Sequence, residues 1–143
     1  MKRKKTAGIT LMELVVVLAI VAIIGAIVVP HFIGMTEIAR LRADLQSTMV
    51  LDNGFQLYRL QHPGPNTDGI QEVLNLLNAQ DFIAAPVRAA ATSTGEGAPP
   101  QTPGAEWRIV QGHIRLYLPA DLLGAHWDSL THQEQQMVAN PGS

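Results

Sequence analysis

The architecture of this chain follows from residues 8–36, which read GITLMELVVVLAIVAIIGAIVVPHFIGMT. After Glu13, residues 14–36 contain no Asp, Glu, Lys or Arg. At ~1.5 Å of rise per residue, these 23 residues form a helix of roughly 35 Å, which is enough to cross a hydrocarbon core of about 30 Å. The stretch therefore predicts a helix that can span a membrane.

Four basic residues, KRKK at positions 2–5, precede this stretch. Basic residues beside a spanning helix stay on the cytoplasmic side, so everything after Thr36 is expected on the outer side of the membrane. A secretory signal peptide also begins with basic residues, but it closes on a small-x-small cleavage site. Residues 28–32, VVPHF, offer no such site. A plain signal anchor remains the alternative at this point.

Glu13 is an acidic residue at the front of an otherwise apolar helix. A carboxylate at the membrane centre costs on the order of 2.5–3.5 kcal/mol, so such a residue usually has a partner and a function. The basic cluster, Gly8, the sequence ITLME at 9–13 and the apolar run together resemble the signal of type IV pilins and type II secretion pseudopilins. Pro30, 21 residues after Ile9, matches a proline that pilins and major pseudopilins also carry. The resemblance is closest to the major pseudopilins.

The resemblance implies that a prepilin peptidase cuts between Gly8 and Ile9 and methylates the new amine of Ile9. Glu13 takes the position of the family's glutamate, four residues after the new N-terminus, and Ile9 stands where the family usually has phenylalanine. A buried ammonium needs a counter-charge, which Glu13 of a neighbouring subunit can supply. Glu13 and Pro30 are therefore the expected filament-assembly residues. Cleavage would leave 135 residues with six basic and twelve acidic side chains.

The helical pattern continues beyond Pro30. Apolar residues and one threonine recur at steps of three and four and form one face, while Arg40, Arg42, Asp44 and Asp52 are expected in other directions. The face consists of Ile38, Leu41, Leu45, Thr48, Leu51, Phe55 and Tyr58. We predict one helix from about Thr10 to about Leu60, bent at Pro30 and ended by HPGP at 62–65. Asn53-Gly54 inside it costs about 1 kcal/mol, which close packing at that point would offset.

The C-terminal half is predicted to contain short helices and a β-hairpin. Asp68 can cap a helix whose apolar face includes Val73 and Leu77, with Gln71 in the capping-box position. Thr131 and Glu134 form a second capping box, for a helix that includes Val138. Residues 86–105 are rich in Pro, Gly, Thr and Ser and are predicted to be a surface loop.

The hairpin is predicted from the alternation of residues 106–110 and 113–118 around Gln111-Gly112. This turn places Ile109 opposite Ile114 and Trp107 opposite Leu116 on one face. Arg108 then lies opposite Arg115 on the other face. Because opposed like charges are unfavourable, either both side chains turn into solvent, which we favour, or an acidic partner lies there, and the pair is also a candidate subunit contact.

These elements define an α+β, pilin-like fold, in which a long kinked N-terminal helix packs on a small C-terminal domain. The expected divisions are a leader peptide at 1–8, the membrane and filament-core half of the helix at 9–36, the amphipathic half at 37–62 and an extracytoplasmic domain at 63–143. Zero cysteine excludes a disulfide framework and a thiolate metal site. The net charge of −2 gives no case for nucleic-acid binding.

Motifs of enzymatic chemistry are absent from the sequence. The five histidines show no HExxH or similar spacing, and there is no G-x-S-x-G motif or Walker loop. No catalytic residue, metal or cofactor is therefore expected. Calcium is bound by many major pseudopilins, but neither their Asp-Pro-Trp-Gly stretch nor their calcium loop is recognisable here.

The predicted function is that of a structural subunit in a type II secretion-type filament that supports protein secretion across the outer membrane. The resemblance implies prepilin peptidase, other copies of the chain, other pseudopilins and an inner-membrane assembly platform as partners. It implies a single-pass inner-membrane location with a cytoplasmic N-terminus, and a filament after assembly. A minor pilin and a competence pseudopilin of DNA uptake are close alternatives. A small binding module on a signal anchor is the alternative from another class.

Overall fold

The computed structural model describes residues 9–64 and 69–139, with the side chains of residues 30, 31 and 33 excepted. The predicted α+β class is confirmed. The elements are helices α1 (Leu11–Gln61), α2 (Ile70–Ala79), α3 (Ala120–His126) and α4 (His132–Met137), a 3₁₀ turn at Trp127–Ser129, and strands β1 (Glu106–Val110), β2 (His113–Tyr117) and β3 (Val138–Ala139). Two compact units share α1, and the second unit begins at Glu37.

The first unit is the apolar part of α1. Its segment Leu11–Val29 has a mean hydropathy of 3.0 and is long and apolar enough to cross a membrane. The large apolar side chains described along it are exposed. The backbone is helical without interruption through Pro30, and the expected bend at that residue stays a prediction.

The second unit has a core built on the other part of α1. The helix ends at Gln61, directly before His62-Pro63, as the sequence predicts. The predicted face is buried at five positions, with Ile38 and Tyr58 half-buried. The inner faces of α2 and of the sheet complete the core. Its buried residues include Leu41, Leu45, Thr48, Leu51 and Phe55 of α1, Val73, Leu74 and Leu77 of α2, and Trp107, Ile114 and Leu116 of the sheet.

Gly54 lies near the C-terminal end of α1, where another part of the chain approaches the helix closely. A Cβ at this position would lie 3.3 Å from the carbonyl oxygen of Phe82. This contact is tighter than nine in ten real Cβ contacts, so Phe82 would have to move slightly to accept a side chain here. The close packing expected at Asn53-Gly54 is therefore confirmed, and it explains a residue that otherwise weakens a helix by about 1 kcal/mol.

The hairpin has the predicted register at every pair. Trp107 pairs with Leu116, Ile109 with Ile114 and Val110 with His113. Gln111 and Gly112 have φ angles of 52° and 77°, the left-handed pair that a two-residue type I′ turn requires. Because side chains alternate along a strand, this register places Trp107, Ile114 and Leu116 in the core.

The structure corrects the predicted start of α2. The N-cap of α2 is Gly69, without a side-chain cap, and Asp68 lies outside the described residues. Gln71 does not close a capping box, because its Oε1 accepts a hydrogen bond from the backbone of Ala89 at 2.9 Å. The capping box of Thr131 and Glu134 is confirmed at the start of α4.

Helix α4 ends at Met137, so the prediction that it includes Val138 is wrong. Val138 is extended and pairs in parallel with Leu116, which makes β3 the third strand of the sheet. Burial against β2 explains the difference. A β-branched residue fits a pleated, buried position better than a helix end.

Residues 86–105 are packed more closely than the predicted surface loop. Two isolated bridges, Val87 with Ala98 and Ala90 with Glu106, tie the segment to itself and to β1. Its backbone continues the hydrogen bonding of the sheet, since Trp107 donates its N–H to the carbonyl of Ala89 at 2.7 Å. Four small residues of the segment, Ala89, Ala90, Thr102 and Ala105, are buried. Only part of it, including residues 94–96, is exposed.

A candidate assembly site on the long helix

The start of α1 is held by a reciprocal hydrogen-bonded pair, Thr10 and Glu13. The Thr10 N–H and hydroxyl donate to Glu13 Oε2 at 2.8 and 3.1 Å, and the Glu13 N–H donates to Thr10 Oγ1 at 3.3 Å. This is a capping box, because Thr10 directly precedes the helix and Glu13 is its third residue. The acidic residue in the first turn also interacts favourably with the helix dipole.

The capping box leaves part of the Glu13 carboxylate available. Oε2 accepts both bonds from Thr10, whereas Oε1 accepts none from residues 9–64 or 69–139. Large exposed apolar side chains, among them Leu11, Met12 and Leu14, surround it on the helix. The site is thus a held carboxylate on an apolar surface, where an ammonium group is a suitable partner.

The structure describes the other residues predicted for this site to different extents. Ile9 precedes the helix and is 77% exposed. Gly8 lies outside the described residues, so the expected cleavage point is not part of the structure. Pro30 lies in the helical backbone of α1. The roles of Gly8, Ile9, Glu13 and Pro30 in cleavage, methylation and assembly remain predictions.

In the second unit, Asp52 of α1 holds the start of β2. Its Oδ1 accepts the Ile114 N–H at 2.8 Å, and its Oδ2 lies 3.0 Å from His113 Nδ1. Arg115 Nη1 lies 3.9 Å from the same Oδ2. Burial raises the pKa of Asp52, but the hydrogen bonds from His113, Ile114 and Gln56 outweigh this effect and hold the pKa below its usual value.

Asp44 holds the 86–105 segment in the same way. It is 2% exposed, and its two carboxylate oxygens accept the N–H groups of Gln101 and Thr102 at 2.8 and 2.7 Å. One turn further along α1, Thr48 Oγ1 accepts the Trp107 indole N–H at 2.9 Å. A buried polar group must be hydrogen-bonded to be tolerated, and these bonds meet that requirement.

The expectation that Asp44 and Asp52 point away from the core face is therefore wrong. Both carboxylates lie at the edge of that face, where they accept N–H groups of the C-terminal segments. The sequence contains the signal for this, since Asp44, Thr48 and Asp52 are spaced by four residues and Thr48 is on the predicted face. Residues four apart lie on one side of a helix.

The opposed arginines of the hairpin have the acidic partners that were the alternative to solvent exposure, and Arg108 is exposed as well. Arg108 pairs with Glu106, two residues before it, and its guanidinium lies 3.8 Å from the centre of the Tyr117 ring. Arg115 is near Asp52 and is only partly exposed. Both cations have an acidic partner within the unit, which removes the repulsion that would have turned them into solvent.

The described part of the chain contains no group of three or more His, Asp or Glu side chains that could hold a metal ion. The histidine of the Asp52 cluster, His113, is hydrogen-bonded to the Asp52 carboxylate and to Gln56. The arrangement is that of a structural anchor.

Comparison with known proteins agrees with this description of the N-terminal segment. Residues 3–29 match the family described as the prokaryotic N-terminal methylation motif. The matched range contains three of the four residues of the basic cluster, Gly8, Ile9, Glu13 and the whole candidate membrane span. The N-terminal segment is thus of the prepilin type.

Three curated relatives are each named type II secretion system core protein G. The Aeromonas hydrophila protein is 30% identical over 77 residues, which are 52% of this chain and 54% of the relative. The Vibrio cholerae serotype O1 protein is 34% identical over 74 residues, 51% of each chain, and the Escherichia coli K12 protein is 32% identical over 65 residues, 45% of each chain. The chain spans about half the length of these relatives. The motif and the relatives confirm the resemblance to the protein G-like pseudopilins. No solved structure matches the chain.

Proposed function

We propose that this protein is a pseudopilin, a structural subunit without catalytic activity that polymerises through its N-terminal helix in a type II secretion-type filament. The observation that carries the proposal is the methylation motif at residues 3–29, with Glu13 held in the first turn of an exposed apolar helix. The names of the three relatives favour secretion over a pilus or a DNA-uptake filament.

Processing is the first step of the proposed function. A prepilin peptidase hydrolyses the bond between Gly8 and Ile9, and the released amine of Ile9 is then methylated. Ile9 and Thr10 precede α1, so cleavage there leaves the whole helix on the product. The leader carries away four cations that would otherwise resist withdrawal of the helix from the cytoplasmic face.

Assembly is the second step. The ammonium of Ile9 in one subunit meets the carboxylate of Glu13 in a neighbour, so two charges that are costly in an apolar environment neutralise each other. The Thr10 bonds to Oε2 fix the carboxylate, and Oε1 is the oxygen that has no bond among the described residues. Thr10 is therefore expected to orient Glu13 for its partner.

Placement in the membrane follows from the same segment. The apolar helix and the relatives fit a membrane-anchored protein. We further propose that the helix crosses the inner membrane once, with the KRKK cluster in the cytoplasm and the second unit outside. Prepilin peptidase, further pseudopilins and an inner-membrane assembly platform are the proposed partners, and secretion of protein across the outer membrane is the proposed output.

The test is a filament assay with the full chain, co-expressed with a prepilin peptidase and an assembly platform. Wild-type protein should be released by shearing and should sediment as filaments. Glu13→Gln has nearly the same size without the charge and should insert into membranes normally but give few sedimentable filaments. Glu96→Gln, a change at an exposed carboxylate outside the apolar segment, is the control for overall charge. Wild-type protein that never sediments, or normal yield from Glu13→Gln, would contradict this proposal.

A further inference from the structure

A cavity of about 230 Å³ lies at the edge of the core of the second unit, separate from the Asp52 cluster. Its walls come from the first turns of α1 in this unit, from residues 102–103 and from the start of α3 with the residue before it. The lining residues are Glu37, Leu41, Thr102, Pro103, Pro119, Asp121, Leu122 and His126.

The cavity has an acidic rim. Glu37 is about half exposed and Asp121 is exposed, so both carboxylates face solvent at the opening. The His126 side chain is 16% exposed, and its Nε2 lies 3.8 Å from Glu37 Oε2. Charge alone therefore favours a cationic occupant.

The wall of the cavity contains a polar atom without a partner. Thr102 is 6% exposed, and its Oγ1 is buried with no hydrogen bond to any described residue. Its backbone N–H, in contrast, is bound by Asp44 at 2.7 Å, which fixes the residue in place. A buried hydroxyl without a partner is unfavourable, so an occupant that supplies a hydrogen bond here is stabilised.

The same chain presents an arginine that matches this cavity. Arg40 is exposed, and within residues 9–64 and 69–139 its side chain makes no hydrogen bond, ion pair or ring contact. Four other arginines, 42, 59, 108 and 115, each have a polar partner in their own unit. Arg88 has a buried Nε without a partner among the described residues, but it is half-buried and so less accessible to a second copy than Arg40. Arg40 lies about 100° around the helix from Leu41 but only about 60° from Glu37, so it projects beside the rim of the cavity rather than into it.

We propose that the cavity receives the Arg40 guanidinium of a second copy of this chain. A guanidinium has five N–H donors, enough to reach both carboxylates and Thr102 Oγ1 together. Each copy would give Arg40 to one neighbour and receive that of another. Contacts between two different surfaces generate open chains, as a filament requires. This inference rests on the proposed self-assembly and names one of its contacts.

Cross-linking through introduced cysteines tests the contact directly, because the sequence has no cysteine of its own. The full-length variant Arg40→Cys/Asp121→Cys, treated with a short bis-maleimide in membranes and in sheared filaments, should give a ladder of dimers and higher multimers. The matched control is Arg42→Cys/Asp121→Cys, since Arg42 is paired with Glu134 of its own chain. Each single-cysteine variant shows how much cross-linked product forms between the same position in two copies of the chain. A ladder of equal strength from the control, or none from either pair, would overturn the inference.

Charge exchange is the second test. Arg40→Glu should lower the filament yield roughly tenfold or more, since it places a carboxylate against an acidic cavity. Arg40→Glu/Asp121→Arg should restore much of that yield. Arg42→Glu/Asp121→Arg is the control that should not. Wild-type filaments that depend on Glu13 but not on Arg40 would refute this contact and leave the proposed function standing, whereas absence of wild-type filaments would contradict the proposed function itself.

Discussion

Asp52 of the long helix accepts a hydrogen bond from the backbone N–H of Ile114 at 2.8 Å, 62 residues further along the chain. This bond joins α1 to the first buried residue of β2. His113 and Arg115, on either side of Ile114, lie within 4 Å of the same carboxylate. The Asp52 side chain thus fixes the position at which β2 starts against α1.

Asp52→Ala should destabilise the folded chain more than Asp52→Asn does. The asparagine retains an oxygen that can accept the Ile114 N–H, whereas alanine leaves that group without its partner, at about 1–3 kcal/mol. The check is urea unfolding of the full chain in detergent, followed by the fluorescence of the two tryptophans, Trp107 and Trp127, which both pack in the second unit. Equal losses in the two variants would mean that the hydrogen bond contributes nothing beyond charge.

Acid should remove the advantage of wild type over Asp52→Asn. The pKa of Asp52 is lower in the folded than in the unfolded chain, so its ionised form stabilises the fold fully above the unfolded pKa of ~3.9. That contribution is lost as the pH falls through the folded pKa. The difference in unfolding free energy between the two proteins should therefore shrink from about pH 5 downward.

The acid prediction has an internal control. The pKa of Glu134 is also lowered, first by the hydrogen bond from the Thr131 backbone, and it acts in the same direction. This carboxylate is present in both proteins, so its effect cancels in the difference. A difference that stays constant to pH 2 would show that Asp52 does not stabilise the fold through its charge.

Asp44→Ala is expected to cost more than either change at Asp52, on the order of 2–5 kcal/mol. It leaves two N–H groups, of Gln101 and Thr102, without their acceptor in a place that is nearly closed to water. Thermal unfolding by circular dichroism measures the loss. A decrease in the melting temperature no larger than that of the exposed control Asp121→Ala would contradict the assigned role of Asp44.

Gly112→Ala should weaken the hairpin turn. Its φ of 77° is unfavourable for a residue with a Cβ, and that Cβ would lie 2.8 Å from Arg59 Nη1. The expected loss is about 1 kcal/mol. Gln111→Gly, at the neighbouring left-handed position, is the opposite change and should be neutral or slightly stabilising. Urea unfolding of both variants gives the comparison.

Regular, local patterns allowed much of this fold to be predicted from the sequence. The face of α1 and the register of the hairpin follow from periods of about 3.6 and 2, and the turn at Gln111-Gly112 leaves little freedom in pairing. The capping box of Thr10 and Glu13 has the same threonine-to-glutamate spacing as the box at Thr131, and could have been predicted in the same way.

The missed features depend on contacts between distant residues. A strand of two residues, β3, has no period, and its pairing with Leu116 exists only in the folded chain. The buried alanines at 89 and 90 lie in a segment whose composition is that of a loop. Asp44 and Asp52 are charged, which in a helix usually indicates the solvent side, and their acceptor role depends on backbone groups more than 50 residues away.

The N-terminus of the protein, extracted from membranes after co-expression with a prepilin peptidase, tests the central claim most directly. Intact mass and N-terminal sequencing should show a chain that begins at Ile9, with or without one added methyl group. Gly8→Val, which changes the residue before the expected cut, should remain unprocessed under the same conditions. Wild-type protein that still begins at Met1, with its KRKK cluster in place, would contradict the assignment as a prepilin-type subunit.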